Sequence, residues 1–156
     1  ADVSDADVAA AALKQVADRP RPHQVLDGVR MVELAKVRPR LLALGKPLII
    51  RSSKPSGKDV EGRSFPSSHT INTISVALVA TCFYRRFGWL AFIPALLVGW
   101  SRIYTGSHWP TDVATSILIG LGATLLLLCG LESLWRRAGA RFLPAIQREH
   151  PSLLSA

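Results

Sequence analysis

The sequence predicts an all-α integral membrane protein, a helical bundle with three spans preceded by short helices near the membrane surface. Three observations lead there. Apolar residues make up 49% of the chain and charged residues only 19%, and mean hydropathy is positive. The apolar residues concentrate after Phe65, in runs that approach the roughly 20 residues needed to cross a bilayer. The tryptophans fall where those runs end: Trp89 and Trp135 would mark one interface, Trp100 and Trp109 the other.

The chain begins with an alanine-rich run, Val8 to Lys14, in which a helix ending before Pro20 is expected. Asp2, Asp5 and Asp7 suit the N-terminus of such a helix and stand where a signal peptide would need basic and apolar residues. Arg19-Pro20-Arg21-Pro22 must be extended, because a residue before proline is pushed out of the helical region. Val25 to Val37 reads as an amphipathic helix with Arg30, Glu33 and Lys36 outward, and Pro39 and Pro47 stop anything longer. Residues 51–64 form a polar loop.

Serines 64, 67 and 68 offer cap hydroxyls, so a helix is expected to start there and run as the first span to Tyr84. A turn at Arg85-Arg86 leads to a second span, Trp89 to about Ile103, in which Pro94 predicts a kink. The third, Val113 to Trp135, has 23 residues and one charge, Glu132. The organisation expected is a core over 1–135 and a basic cytoplasmic tail over 136–156. Crossing, turning and returning would bring His69 and the stretch Ser101–Asp112 to one membrane face. The tight Arg85-Arg86 turn and the Arg136-Arg137 flank place the opposite face in the cytoplasm.

Other classes are set aside by composition. Cys82 and Cys129 lie inside apolar runs, with neither disulfide nor zinc spacing. No Cys/His cluster or HExxH pattern marks a metal site. The net charge of +8 calls for anionic partners. Without an aromatic-interleaved basic groove, nucleic acid is the poorer choice and lipid phosphate the better one.

The chemistry concentrates in Ser101–Asp112, which sets Arg102, His108 and Asp112 between two apolar runs. Ionisable groups at a membrane edge cost free energy, so their default reading is functional. If a helix starts near Trp109 or Pro110, His108 lies at its entry and Asp112 one turn on. A carboxylate there can hold one imidazole nitrogen while the other faces a substrate.

Three ordered motifs then line up: Lys14 with Arg21-Pro22, Pro66-Ser67-Ser68-His69, and Ser101-Arg102 with His108 and Asp112. Together they resemble the type 2 phosphatidic acid phosphatase superfamily, which also includes bacterial non-specific acid phosphatases and vanadium haloperoxidases. The second motif departs from the pattern, with Ser68 where the family usually has glycine. Membrane members usually carry spans before the first motif, so the resemblance implies the later part of a larger core.

The resemblance implies phosphoryl transfer through a phosphohistidine, with no metal and no other cofactor. His108 would be the nucleophile, Asp112 would hold its other nitrogen, and His69 would protonate the leaving oxygen and then activate water. Lys14, Arg21 and Arg102, with Ser67 and Ser68 at a helix N-terminus, would bind the phosphate. The implied setting is a multi-pass protein of the inner membrane with its site on the extracytoplasmic side, acting on a phosphorylated lipid. Undecaprenyl diphosphate leads, ahead of phosphatidate, phosphatidylglycerophosphate and lipid A phosphate. Haloperoxidase chemistry and an inactive membrane fragment are the weaker alternatives, and homo-oligomerisation stays open.

Overall fold

The structure is a computed structural model that describes residues 17–33, 49–54, 64–84 and 86–154. The expected helix over the alanine-rich N-terminal run lies outside the described residues. The chain divides into two compact units, one of Ala1–Ser68 with Gly99–Thr115, the other of His69–Val98 with Ser116–Ala156.

In the first unit, Arg21 is extended at φ −78 and ψ 150, as its place before proline requires. One helical turn follows, α1 (Pro22–Val25). The amphipathic helix expected over Val25–Val37 is not what forms among the described residues. Instead β1 (Arg30–Glu33) pairs antiparallel with β2 (Ile49–Ser52), placing Arg30 opposite Ser52 and Val32 opposite Ile50. The all-α expectation is corrected to a mainly helical chain with one small sheet. Met31, Val32, Ile49 and Ile50 fit a pleated surface, and a partner strand distant in sequence overrides a local helical pattern. Ser53, 4% exposed, ties the end of this ribbon: its Oγ accepts from Val29 N–H at 3.0 Å and donates to Leu26 O at 2.8 Å.

In the second unit, α2 (Ser68–Phe83) is an apolar helix of 16 residues. A 3₁₀ turn, Gly88–Ala91, leads into α3 (Phe92–Tyr104), 13 residues long, whose last residues belong to the first unit. Both helices are shorter than the spans expected of them. Pro94 falls in the first turn of α3, where its missing N–H leaves no bond unmade, so it starts a helix rather than kinking one. The core is small: Ile74, Ala77 and Ala95 are buried, with Ala91, Phe92, Ile117 and Leu121 packed against them. Gly120 allows close packing there, since a Cβ on it would lie 3.1 Å from the Ile71 carbonyl oxygen.

The long helix α4 (Pro110–Phe142) contains the one segment among the described residues, Pro110–Gly139, long and apolar enough to cross a membrane. Its 30 residues reach about 45 Å at 1.5 Å per residue, against about 30 Å of bilayer hydrocarbon. Leu118, Leu126, Leu127 and Leu134 are all more than 60% exposed, an apolar face of the kind that needs an apolar solvent. Beyond α4, α5 (Pro144–Glu149) turns back on it: Trp135 Nε1 donates to His150 O at 3.0 Å and Leu153 N to Glu132 Oε2 at 2.8 Å.

Candidate active site

The first unit gathers Arg21, Ser67, Ser68, Arg102, His108 and Asp112. His69 opens the second unit in the first turn of α2, with an exposed side chain, and its carbonyl accepts from Thr73 Oγ1 at 2.9 Å. Lys14 lies outside the described residues.

The loop between α3 and α4 is built by backbone chemistry. Gly106, at φ 63, takes the left-handed conformation that commonly ends a helix, and its N–H bonds Ile103 O at 2.9 Å. The Arg102 carbonyl then accepts from both Ser107 N and His108 N, at 3.1 and 3.2 Å. This turns the chain so that α4 begins at Pro110. Asp112 is the third residue of that helix, and its Oδ2 accepts the Trp109 N–H at 3.1 Å, reaching back over the helix start as a capping residue does. A carboxylate in a first turn also meets the positive end of the helix dipole.

The segment around Arg21 is laced onto this loop. His23 donates from its backbone N–H and from Nδ1 to the same Gly106 carbonyl, at 3.2 and 2.8 Å. Trp109 Nε1 donates to Pro20 O at 2.8 Å. Arg19 lies over the Trp109 ring at 5.4 Å and sends Nη1 to Thr111 Oγ1 at 2.9 Å and to Asp112 Oδ1 at 2.5 Å. Arg21 itself caps α1, its N–H bonded to Gln24 Oε1 at 2.9 Å.

Ser64 closes the arrangement. It is fully buried; its N–H donates to Arg19 O at 2.9 Å, its Oγ donates to Asp112 Oδ2 at 2.5 Å, and its carbonyl accepts from His108 Nδ1. The carboxylate takes Arg19, Ser64 and the Trp109 N–H, and the imidazole Nδ1 donates to the Ser64 carbonyl. A carbonyl can only accept, so Nδ1 carries a proton, and in the neutral ring Nε2 carries the lone pair.

Arg102 is half-buried, and among the described residues its Nε is a buried donor with no hydrogen-bond partner. A buried guanidinium nitrogen left without an acceptor is costly, and an anion's oxygen would satisfy it. Three residues of this site went unassigned in the sequence reading. Arg19 and His23 flank Arg21 but belong to no motif, and Ser64 read only as a cap hydroxyl. The one signal in the sequence was proximity to motif residues.

The sequence model of the PAP2 superfamily matches residues 6–136, and the chain belongs to that superfamily. Among curated proteins it is similar to the bacitracin transport permease protein BcrC of Bacillus licheniformis, 42% identical over 64 residues, 41% of this chain and 32% of the relative. It is similar to an undecaprenyl-diphosphatase of Sulfolobus acidocaldarius, 32% identical over 97 residues, 62% of this chain and 44% of the relative. A third, a lipid A 4'-phosphatase of Porphyromonas gingivalis, is 34% identical over 94 residues, 59% of this chain and 38% of the relative. The chain thus spans less than half the length of these relatives. No solved structure matches it.

Proposed function

We propose that this chain carries the phosphoryl-transfer site of a membrane lipid phosphatase, with undecaprenyl diphosphate as the leading substrate. The observation that supports this most is the bond from His108 Nδ1 to the Ser64 carbonyl, which in the neutral ring puts the proton on Nδ1 and the lone pair of a nucleophile on Nε2. Arg21 and Arg102 belong to the same unit, and the Arg102 Nε lacks an acceptor among the described residues. Relatives bearing the names undecaprenyl-diphosphatase and lipid A 4'-phosphatase support the lipid class.

In this mechanism His108 Nε2 attacks the terminal phosphorus. An N–P bond forms as the P–O bond to the leaving lipid phosphate breaks. Arg21 and Arg102, with Lys14, Ser67 and Ser68, neutralise the phosphoryl oxygens as charge redistributes. His69 gives a proton to the leaving oxygen, then takes one from the water that cleaves the phosphohistidine. The buried Asp112 carboxylate offsets the charge that develops on the imidazole.

The same reading places three apolar segments in the membrane, with α4 crossing fully, and sets the site on the extracytoplasmic side of the inner membrane. The lipid A phosphatase relative favours a second substrate, lipid A 4'-phosphate, at the same site.

The test is phosphate release by the full chain in detergent from undecaprenyl diphosphate, lipid A and phosphatidate, with His108→Ala alongside. Release by the wild type and not by the variant is expected, with undecaprenyl diphosphate fastest. No release from any lipid by the wild type, or equal release by the variant, overturns the reading.

A further inference from the structure

We propose that His23 is a positioning residue, whose ring sets the Arg21 segment against the loop that carries His108. The proposal rests on the phosphoryl-transfer reading of that loop, in which Arg21 meets the phosphate and His108 takes the phosphoryl group.

The geometry is a pair of staples. Trp109 Nε1 donates to Pro20 O at 2.8 Å. His23 donates twice to Gly106 O, from its backbone N–H at 3.2 Å and from Nδ1 at 2.8 Å. The pairs run in opposite order, 20 with 109 and 23 with 106. Arg21-Pro22 on one segment and Ser107-His108 on the other therefore lie between the same two staples.

Local chemistry places the staple at His23. Pro22 starts α1 and has no N–H, so the His23 N–H is a donor of the first turn that needs an acceptor from outside the helix. The Gly106 carbonyl supplies it, and an oxygen with two lone pairs can accept the ring as well. Gly106 is buried, and its bare Cα permits the approach: a Cβ there would lie 3.6 Å from His23 Cβ and strike Val29 Cγ1. Gly106 is itself held in the turn that ends α3, where Arg102 O accepts from Ser107 N and His108 N. The His23 ring thus ties the Arg21 segment to the turn that orients Arg102 and His108. Phosphoryl transfer leaves the protein mostly the work of placing cations and nucleophile, so looseness between these segments should cost rate.

Two substitutions separate positioning from packing. His23→Phe keeps a ring and loses the donor. His23→Asn loses the ring and keeps an N–H as far from the backbone as Nδ1. The full chain in detergent is assayed for phosphate release from undecaprenyl diphosphate, and for affinity to orthophosphate by ³¹P NMR. His23→Phe is expected to lose about tenfold in kcat/KM and roughly threefold to tenfold in orthophosphate affinity. His23→Asn is expected to stay within about threefold of wild type in both, as the size of one hydrogen bond's net effect implies. The affinity loss in His23→Phe should shrink in an Arg21→Gln background, where no guanidinium is left to misplace. His23→Leu takes the place of His23→Phe where the latter does not fold.

A loss in His23→Asn as large as in His23→Phe, or the same loss with and without Arg21, overturns the proposal. A wild type that binds orthophosphate but releases none from any lipid overturns the lipid phosphatase instead, and the affinity series then decides the role of His23. A wild type that does neither overturns both.

Discussion

Removing the Arg19 guanidinium tests how the site is held together. In Arg19→Ala the fully buried Asp112 carboxylate loses the cation 2.5 Å away. Breaking a wholly buried ion pair costs about 3–5 kcal/mol, whereas an exposed pair contributes about 0–1 kcal/mol. This pair lies between them, because the Arg19 side chain is 42% exposed and Asp112 is not exposed at all. Asp112 also keeps two donors, the Ser64 hydroxyl and the Trp109 N–H. A cost of about 1–2 kcal/mol follows, which for a chain of this size is a fall of roughly 2–8 °C in apparent Tm. The assay is thermal unfolding in one detergent at one scan rate, at low and high salt. Since the carboxylate is buried, the fall should persist at ~1 M salt, where an exposed pair would be screened. Arg19→Lys keeps the charge but not the planar guanidinium that lies over Trp109, and should recover part of the loss. Asp112→Asn should destabilise less in the Arg19→Ala background than in the wild type, since no lone charge is then stranded. A Tm unchanged in Arg19→Ala, or a loss abolished by salt, would refute the reasoning.

Other outcomes follow from the same coordinates. Gly106→Ala should destabilise more than Gly28→Ala in the same thermal assay. Both glycines have positive φ, costing an alanine about 1–2 kcal/mol, but a Cβ at Gly106 would also strike Val29 Cγ1 while one at Gly28 meets open space. Gly120→Ala should lower Tm by the equivalent of about 1–3 kcal/mol, since the nearest atom is the backbone oxygen of Ile71, which cannot swing away. Arg102→Lys should raise KM for a lipid phosphate roughly tenfold, because lysine supplies one compact charge where the buried Nε and its fork would meet separate oxygens; an unchanged KM would place the phosphate elsewhere.

Much of the local structure was legible. The start of α4 at Pro110, the extended Arg21 before Pro22 and the polar-to-apolar change before α2 follow from proline chemistry and apolar patterning. These are short-range rules, and they hold wherever the chain goes next. The helix expected through Val25–Val37 failed for the converse reason. Its pattern was permissive for strand as well, and β2, more than a dozen residues away, decided between them. The spans expected around α2 and α3 came out shorter because an apolar run shows where a helix can lie, not where its ends fray into turns.

The site divides in the same way. His108, Asp112, Arg102 and Arg21 were singled out in the sequence by residue type, spacing and the family resemblance, and all four fall in the first unit. Which group touches which was not in the spacing. That the Ser64 carbonyl meets the imidazole, that Arg19 balances Asp112, and that His23 pins Gly106 depend on segments 44 to 93 residues apart in the chain meeting in space. Sequence by itself determined the chemical inventory, since each side chain brings its own donors and charge. Only the tertiary structure decided the partners, since a buried charge takes whichever donors packing brings within reach.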